Sequence, residues 1–240
     1  MDKGEFPKSK HFPLTQPQSH TITLFMDLAS IIDHTILRQD CVFNDIKNIC
    51  EEALKFGFAA VCIPPFYVKD AVRLLENSDV NVATVVAFPM GYAPVASKVE
   101  EIKRAIDEGT DEVDAVINLC AVKNNNWNFV RNEIESMTTA SHMRGKIIKL
   151  ILETGLLEQP EILKLCDICK ELEVDFVKTS TGFQGQGASV EVVSLLRANL
   201  PKTIKIKASG GIRDRQFAEQ LVQAGADRIG TSSGVAIVSA

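Results

Sequence analysis

Short apolar runs of four to six residues recur along this chain, each followed by a stretch whose apolar positions come every third and fourth residue. The runs are Ile31–His34, Ala59–Ile63, Val82–Ala87, Glu112–Ile117, Ile147–Leu152, Asp175–Lys178, Ile204–Ala208 and Asp227–Gly230. Runs of that length bounded by turn residues read as buried strands. The intervening stretches read as helices. The first carries Ile46, Ile49, Ala53 and Leu54. The third carries Val99, Ile102 and Ile106, and a Ser97–Glu100 capping box is expected to open it. The fifth has Pro160 near its start, then Leu163, Cys166 and Cys169. The seventh begins after Asp214 and is expected to bury Phe217, Leu221 and Val222.

Strand then helix, eight times over, means parallel strands joined by crossover helices. The chain has 240 residues, near the barrel norm of roughly 250. That favours an α/β fold closed into a (β/α)8 TIM barrel over an open doubly wound sheet. The barrel is expected over residues 21–240, with a short amphipathic segment, Thr21–Leu28, ahead of the first strand. Residues 1–20 mix Lys, Pro, Gln and His without an apolar stretch. They read as a flexible N-terminal arm and not as a secretory signal.

A weak internal repeat adds detail. The segments "KFGFAAVC", "DEGTDEVD" and "QAGADRIG" each run from a helix end into a strand, and "ELEVDFVK" aligns with them, Glu173 standing in the glycine position. Five residues after Gly57, Gly109, Glu173 and Gly225 come Cys62, Asp114, Lys178 and Gly230, on the second, fourth, sixth and eighth strands. Alternate strands of a barrel feed one interior layer. The spacing therefore predicts that a thiol, a carboxylate, an amine and a gap share a layer near the C-terminal mouth.

The chemistry centres on that layer. Lys178 ends an apolar strand in "VDFVKTSTGF". A lysine there can simply snorkel to water. However, the Thr-Ser-Thr-Gly run that follows, with Gly182, can present N–H and hydroxyl groups to a ligand. Lys207 ends the next strand before the Gly210–Gly211 pair. A neighbouring positive charge and burial both lower a lysine's pKa from about 10.4, and carbonyl attack requires the neutral amine. Lys205 shares its parity two residues deeper, at the opposite end of the barrel, and is given no role. Asp114, flanked by Val113 and Ala115, is the carboxylate expected to point inward. Facing two lysines, it can be buried at tolerable cost and can shuttle protons. Asp111 and Glu112 stand near the strand start, where solvent is expected to reach them. Asp33 either pairs with Lys207 across the mouth or caps its own loop, bonding Thr35. His34 points the other way by alternation. The C-terminal "GADRIGTSSG" places Ser232 and Ser233 after the eighth strand, where barrels often hold phosphate together with the seventh-strand loop.

Net charge is -5 and no basic stripe occurs, which argues against a nucleic-acid partner. The apolar runs are too short to span a bilayer. The six cysteines are scattered; only Cys166 and Cys169 stand close, inside a helical pattern, with no second ligand pair for zinc. Buried thiols in a reducing cytoplasm are expected, with no metal and no cofactor.

From about Ile32 to Val238 the chain resembles the deoxyribose-phosphate aldolase family. It carries "IDHT", "VCIPP", "FPMG", "DEVDAVIN", "LILETG", "VKTSTGF", "KASGGIRD" and "RIGTSSG" in family order. The resemblance implies reversible cleavage of 2-deoxy-D-ribose 5-phosphate to D-glyceraldehyde 3-phosphate and acetaldehyde. It implies Lys178 as Schiff-base lysine, Asp114 as proton relay, Lys207 as second lysine, and Gly182, Gly211, Ser232 and Ser233 as phosphate contacts. The expected partners are a small phosphosugar, small aldehydes and further copies of the chain, in a dimer or tetramer. Phe183 stands where some members have lysine, and the chain stops at Ala240 where longer members continue to a terminal tyrosine that assists proton transfer. The competing readings are an aldolase for another phosphosugar, a barrel that binds phosphosugars without catalysis, and a triosephosphate-type isomerase, for which only Glu153 offers a base.

Overall fold

The computed structural model describes Met1 and residues 27–240. The N-terminal arm after Met1, and all but the last two residues of Thr21–Leu28, lie outside the described residues. The eight strands are β1 (Ile32–Thr35), β2 (Ala60–Ile63), β3 (Asn81–Val86), β4 (Glu112–Val116), β5 (Ile147–Ile151), β6 (Phe176–Lys178), β7 (Lys205–Ser209) and β8 (Arg228–Thr231). Each end falls within one residue of the position that the apolar pattern predicts. All neighbours pair in parallel, and β1 pairs β8 to close the barrel.

Outside the barrel run α1 (Phe43–Phe56), α2 (Val68–Leu74), α3 (Val95–Asp107), α4 (Leu119–Lys123), α5 (Trp127–His142), α6 (Gln159–Glu171), α7 (Val190–Asn199), α8 (Arg215–Gln223) and α9 (Gly234–Ser239). Their apolar stripes pack on the outward side chains of the strands, among them Val61, Val113, Ile148, Val177, Ile206 and Ile229, in one continuous core. Asp214 caps α8 by accepting Phe217 N–H at 2.9 Å. The expected Ser97–Glu100 box is absent. Pro94, with φ -56°, enters the helix first, and Lys98 N–H already bonds its carbonyl at 3.1 Å. Ser97 therefore lies inside the first turn, where a cap has no role. Cys166 and Cys169 are buried in α6 with free thiols.

The register explains the repeat. Cys62 pairs with Ala83 and Val85 with Asp114; Asp114 pairs with Lys149 and Ile151 with Lys178. Lys178 pairs with Lys207 and Ser209 with Gly230; Gly230 pairs with Asp33 and Thr35 with Cys62. Each passage from one even strand to the next thus climbs two residues, and four such steps give the shear of eight of this barrel class. Cys62, Asp114, Lys178 and Gly230 do share an interior layer. By the same register the odd strands contribute Asp33, Ala83, Lys149 and Lys207 to the layer below, and under that lie Ala60, Glu112, Phe176 and Arg228. Barrel interiors are usually filled by branched apolar side chains. This one is filled by ions. The small residues Ala60, Cys62 and Ala83 on β2 and β3 leave room for long side chains reaching across from β5, β7 and β8.

Candidate active site

The centre of the site is Asp114. Its Oδ2 accepts from Lys178 Nζ at 2.7 Å and from Lys207 Nζ at 2.7 Å, and its Oδ1 accepts from Lys149 Nζ at 2.9 Å. Lys149 also bonds Glu112 and stands 3.7 Å from Asp33. Lys207 bonds Asp33 as well, and Arg228 donates to Asp33 Oδ1 at 2.5 Å and reaches Glu112 at 3.4 Å. Asp33 therefore pairs with Lys207, as one of its two sequence readings has it. Thr35 Oγ1 instead donates to the Asp33 carbonyl.

Four cations (Lys149, Lys178, Lys207 and Arg228) face three carboxylates (Asp33, Glu112 and Asp114), and burial makes charge balance matter. The imbalance falls on one group. Burial alone would raise the Asp33 and Asp114 carboxyls, but the lysines around them hold both below the usual carboxylate range. Burial alone would neutralise Lys149 and Lys207, but Asp114 and the other carboxylates raise both. Lys178 moves down. Burial is the main cause; Asp114 opposes it and the charge on Lys207 adds to it. Releasing the proton of Lys178 leaves three cations facing three carboxylates.

Lys178 is also the cluster amine that opens on a cavity. It is 3% exposed, at the floor of a cavity of about 390 Å³ at the C-terminal mouth. Neither Lys149 nor Lys207 lines that cavity. Gly230 leaves room for the neighbouring amine: a Cβ there would stand 2.8 Å from Lys207 Cε. Cys62 is fully buried inside the barrel, its thiol free and pushed up by burial, and it does not line the cavity.

The upper walls come from four loops, one of them Ile36–Arg38 after β1. Gly182 follows β6, Gly210 and Gly211 follow β7, and Ser232 follows β8; all line the cavity. The N–H groups of Gly182, Gly211 and Ser232 have no hydrogen-bond acceptor among the described residues. Three unmet donors on one concave wall suit an anion. Arg38 and Arg213 also line the cavity. Ser233 does not line the cavity, and its N–H donates to Thr231 Oγ1 at 2.9 Å. In this arrangement its N–H is engaged, while no partner is shown for its hydroxyl among the described residues. Phe183 lies half exposed at the rim, edge-on to Phe88 with centroids 5.2 Å apart. Among the described residues no group of three His, Cys, Asp or Glu side chains is placed to hold a metal ion.

Three members of the cluster escape sequence reasoning. Glu112 is fully buried and paired with Lys149 and Arg228. It is not solvated, because Lys149 in the layer above and Arg228 in its own layer pair with it inside the closed barrel. Lys149 and Arg228 could have been found by parity, since each lies two residues from another inward position, Ile151 and Gly230. Lys205 is exposed at the opposite end, as its depth predicts, and His34 points outward to Glu52 at 2.6 Å.

Residues 27–240 match the DeoC/LacD family of aldolases. The chain is 48% identical over 214 residues to the deoxyribose-phosphate aldolase of Desulfitobacterium hafniense, covering 89% of this chain and 98% of that one. It is 45% identical over 215 residues to the corresponding enzyme of Thermococcus gammatolerans, with 89% and 96% covered. The tetrameric deoxyribose phosphate aldolase of Aeropyrum pernix shares its fold at a TM-score of 0.83 and 34% identity, over 89% of this chain and 90% of its own.

Proposed function

Because the chain belongs to the DeoC/LacD family of aldolases, we propose that it cleaves 2-deoxy-D-ribose 5-phosphate reversibly to D-glyceraldehyde 3-phosphate and acetaldehyde through an imine on Lys178. The observation that carries the assignment is that Lys178 alone of the cluster both opens on the cavity and has a lowered pKa. A neutral amine attacks the C1 carbonyl of the open-chain sugar. Water leaves and a cationic imine forms. Loss of the C3 hydroxyl proton then breaks the C2–C3 bond, and the electron pair moves into an enamine on Lys178. Glyceraldehyde 3-phosphate leaves; a proton adds at C2, and hydrolysis frees acetaldehyde and the amine.

The other groups support these steps. Asp114 touches Lys178 and Lys207 at 2.7 Å each, so it passes protons between them and to water in the cavity. Lys207 stays charged and adds to the burial that lowers the pKa of Lys178. Asp33 holds Lys207, and Cys62 fills the same layer as packing. The phosphate takes the N–H groups of Gly182, Gly211 and Ser232, with Gly210 shaping the turn. An isomerase reading has less support, because Glu153 is engaged by Thr181 and does not line the cavity.

Acetaldehyde and borohydride test the assignment. The expected product is a reduced ethyl group on Lys178, located by peptide mass spectrometry, and none in Lys178→Ala. A reduced ethyl group on Lys207 would overturn it. The proposal extends to a homo-oligomer in the cytoplasm. The tetrameric Aeropyrum relative supports the first, and the free buried thiols support the second. No helix among the described residues is long and apolar enough to cross a membrane. Light scattering of the purified protein checks the oligomer, and a monomer would exclude it.

A further inference from the structure

One buried carboxylate at the mouth stands apart from the charged cluster. Glu153 follows β5, is fully buried, and holds a left-handed backbone with φ 55° and ψ 55°. A residue with a Cβ keeps that conformation only where its surroundings enforce it. Its carboxylate accepts twice from one neighbour. Thr181 N–H lies 3.3 Å from each oxygen, and the Thr181 hydroxyl donates to Oε2 at 2.5 Å. Thr181 Oγ1 accepts in turn from Phe183 N–H at 3.1 Å. The two loops are tied again where Thr154 N–H donates to the Thr179 carbonyl at 2.9 Å. They also touch at Gly155, where a Cβ would stand 2.4 Å from the Gln186 carbonyl oxygen.

These bonds hold the peptides on both sides of Gly182. Thr181 N–H and Phe183 N–H are both consumed inside the network, whereas Gly182 N–H is left without an acceptor among the described residues, on the cavity wall. We infer that Glu153 is a positioning residue that aims the Gly182 N–H into the cavity and so sets affinity for the phosphate end of the substrate. It does not act on the chemistry at Lys178. A carboxylate is needed because both of its oxygens face donors; glutamine would turn an N–H towards one of them. This rests on the aldolase reading above and deepens it.

Steady-state kinetics of the full chain with 2-deoxyribose 5-phosphate and with unphosphorylated 2-deoxyribose separate the two effects. In Glu153→Gln, KM for the phosphorylated sugar is expected to rise about tenfold or more while kcat stays within about threefold, the scale of one lost bond to a charged group. The kcat/KM for deoxyribose should change far less. Thr181→Val is expected to raise the same KM, and Thr181→Ser, which keeps the hydroxyl, to restore it. The threonine pair reads the contact even where Glu153→Gln does not fold. Equal losses on both sugars, a loss confined to kcat, or a serine variant as poor as the valine variant would overturn the inference. Acetaldehyde trapping on Lys178 of the unaltered protein keeps the two questions apart. Failure to trap sinks the aldolase assignment, whereas trapping together with equal losses sinks only the role of Glu153.

Discussion

Replacing Lys207 by methionine removes a charge and keeps an unbranched chain of similar length in the barrel. Both amines lie 2.7 Å from the same oxygen of Asp114, so their nitrogens stand about 5 Å apart or closer by ordinary hydrogen-bond geometry. Two like charges at about 5 Å in an effective dielectric of about 20 repel by roughly 3 kcal/mol. At 1.36 kcal/mol per tenfold, that is about a hundredfold in the ratio of neutral to charged Lys178. Relaxation of the cluster reduces the effect to between about ten- and a hundredfold. The sign follows from the direction at Lys178, whose pKa is lowered in part by Lys207. Without that charge its pKa rises, the neutral fraction at neutral pH falls, and the lost fraction returns as pH rises. The assay is the initial rate of deoxyribose 5-phosphate cleavage, and of acetaldehyde trapping by borohydride, from about pH 6 to about pH 10. Lys207→Met should lose about ten- to a hundredfold near pH 7 and recover part of it in alkali. A loss of the same factor at every pH would refute the electrostatic role and leave Lys207 as a proton donor or a structural group.

Asp114→Asn should slow turnover by a factor on the order of 10² or more, the scale of general acid–base help, measured as kcat for cleavage; an effect on KM alone would count against a proton relay. Gly230→Ala places a methyl group 2.8 Å from Lys207 Cε and should displace that side chain. Its pH–rate profile should therefore shift to alkali in the same sense as that of Lys207→Met, and an unshifted profile would show that the layer has slack. Lys149→Met leaves Asp114 and Glu112 short of a buried partner. Urea denaturation should show a loss of about 3–5 kcal/mol, the usual cost of breaking a buried pair from one side; a loss within about 0.5 kcal/mol, typical of surface positions, would mean that the pair is dispensable to the fold.

The strands and helices were determined by local pattern because burial imposes periodicity. A strand covered on both faces must be a short apolar run, and a helix resting on it must repeat its apolar residues every three or four positions. That is why the runs ending at Ile63, Lys178 and Gly230 lie within a residue of their strands. The layer of Cys62, Asp114, Lys178 and Gly230 was also legible, since a constant spacing from helix end to strand end reports a constant shear. Closure of the barrel decided the rest. Glu112 reads as a solvated strand start until closure brings Lys149 and Arg228 against it from strands distant in sequence. Lys149 reads as one polar residue in an apolar run until Asp33, Glu112 and Asp114 surround it. Ser233 follows the eighth strand as a phosphate ligand would, yet its N–H turns back to Thr231. A side chain's partner depends on distance, and its protonation depends on every charge around it. The sequence could point to Lys178, but only the folded chain shows why its pKa is the one lowered and that it opens on the cavity.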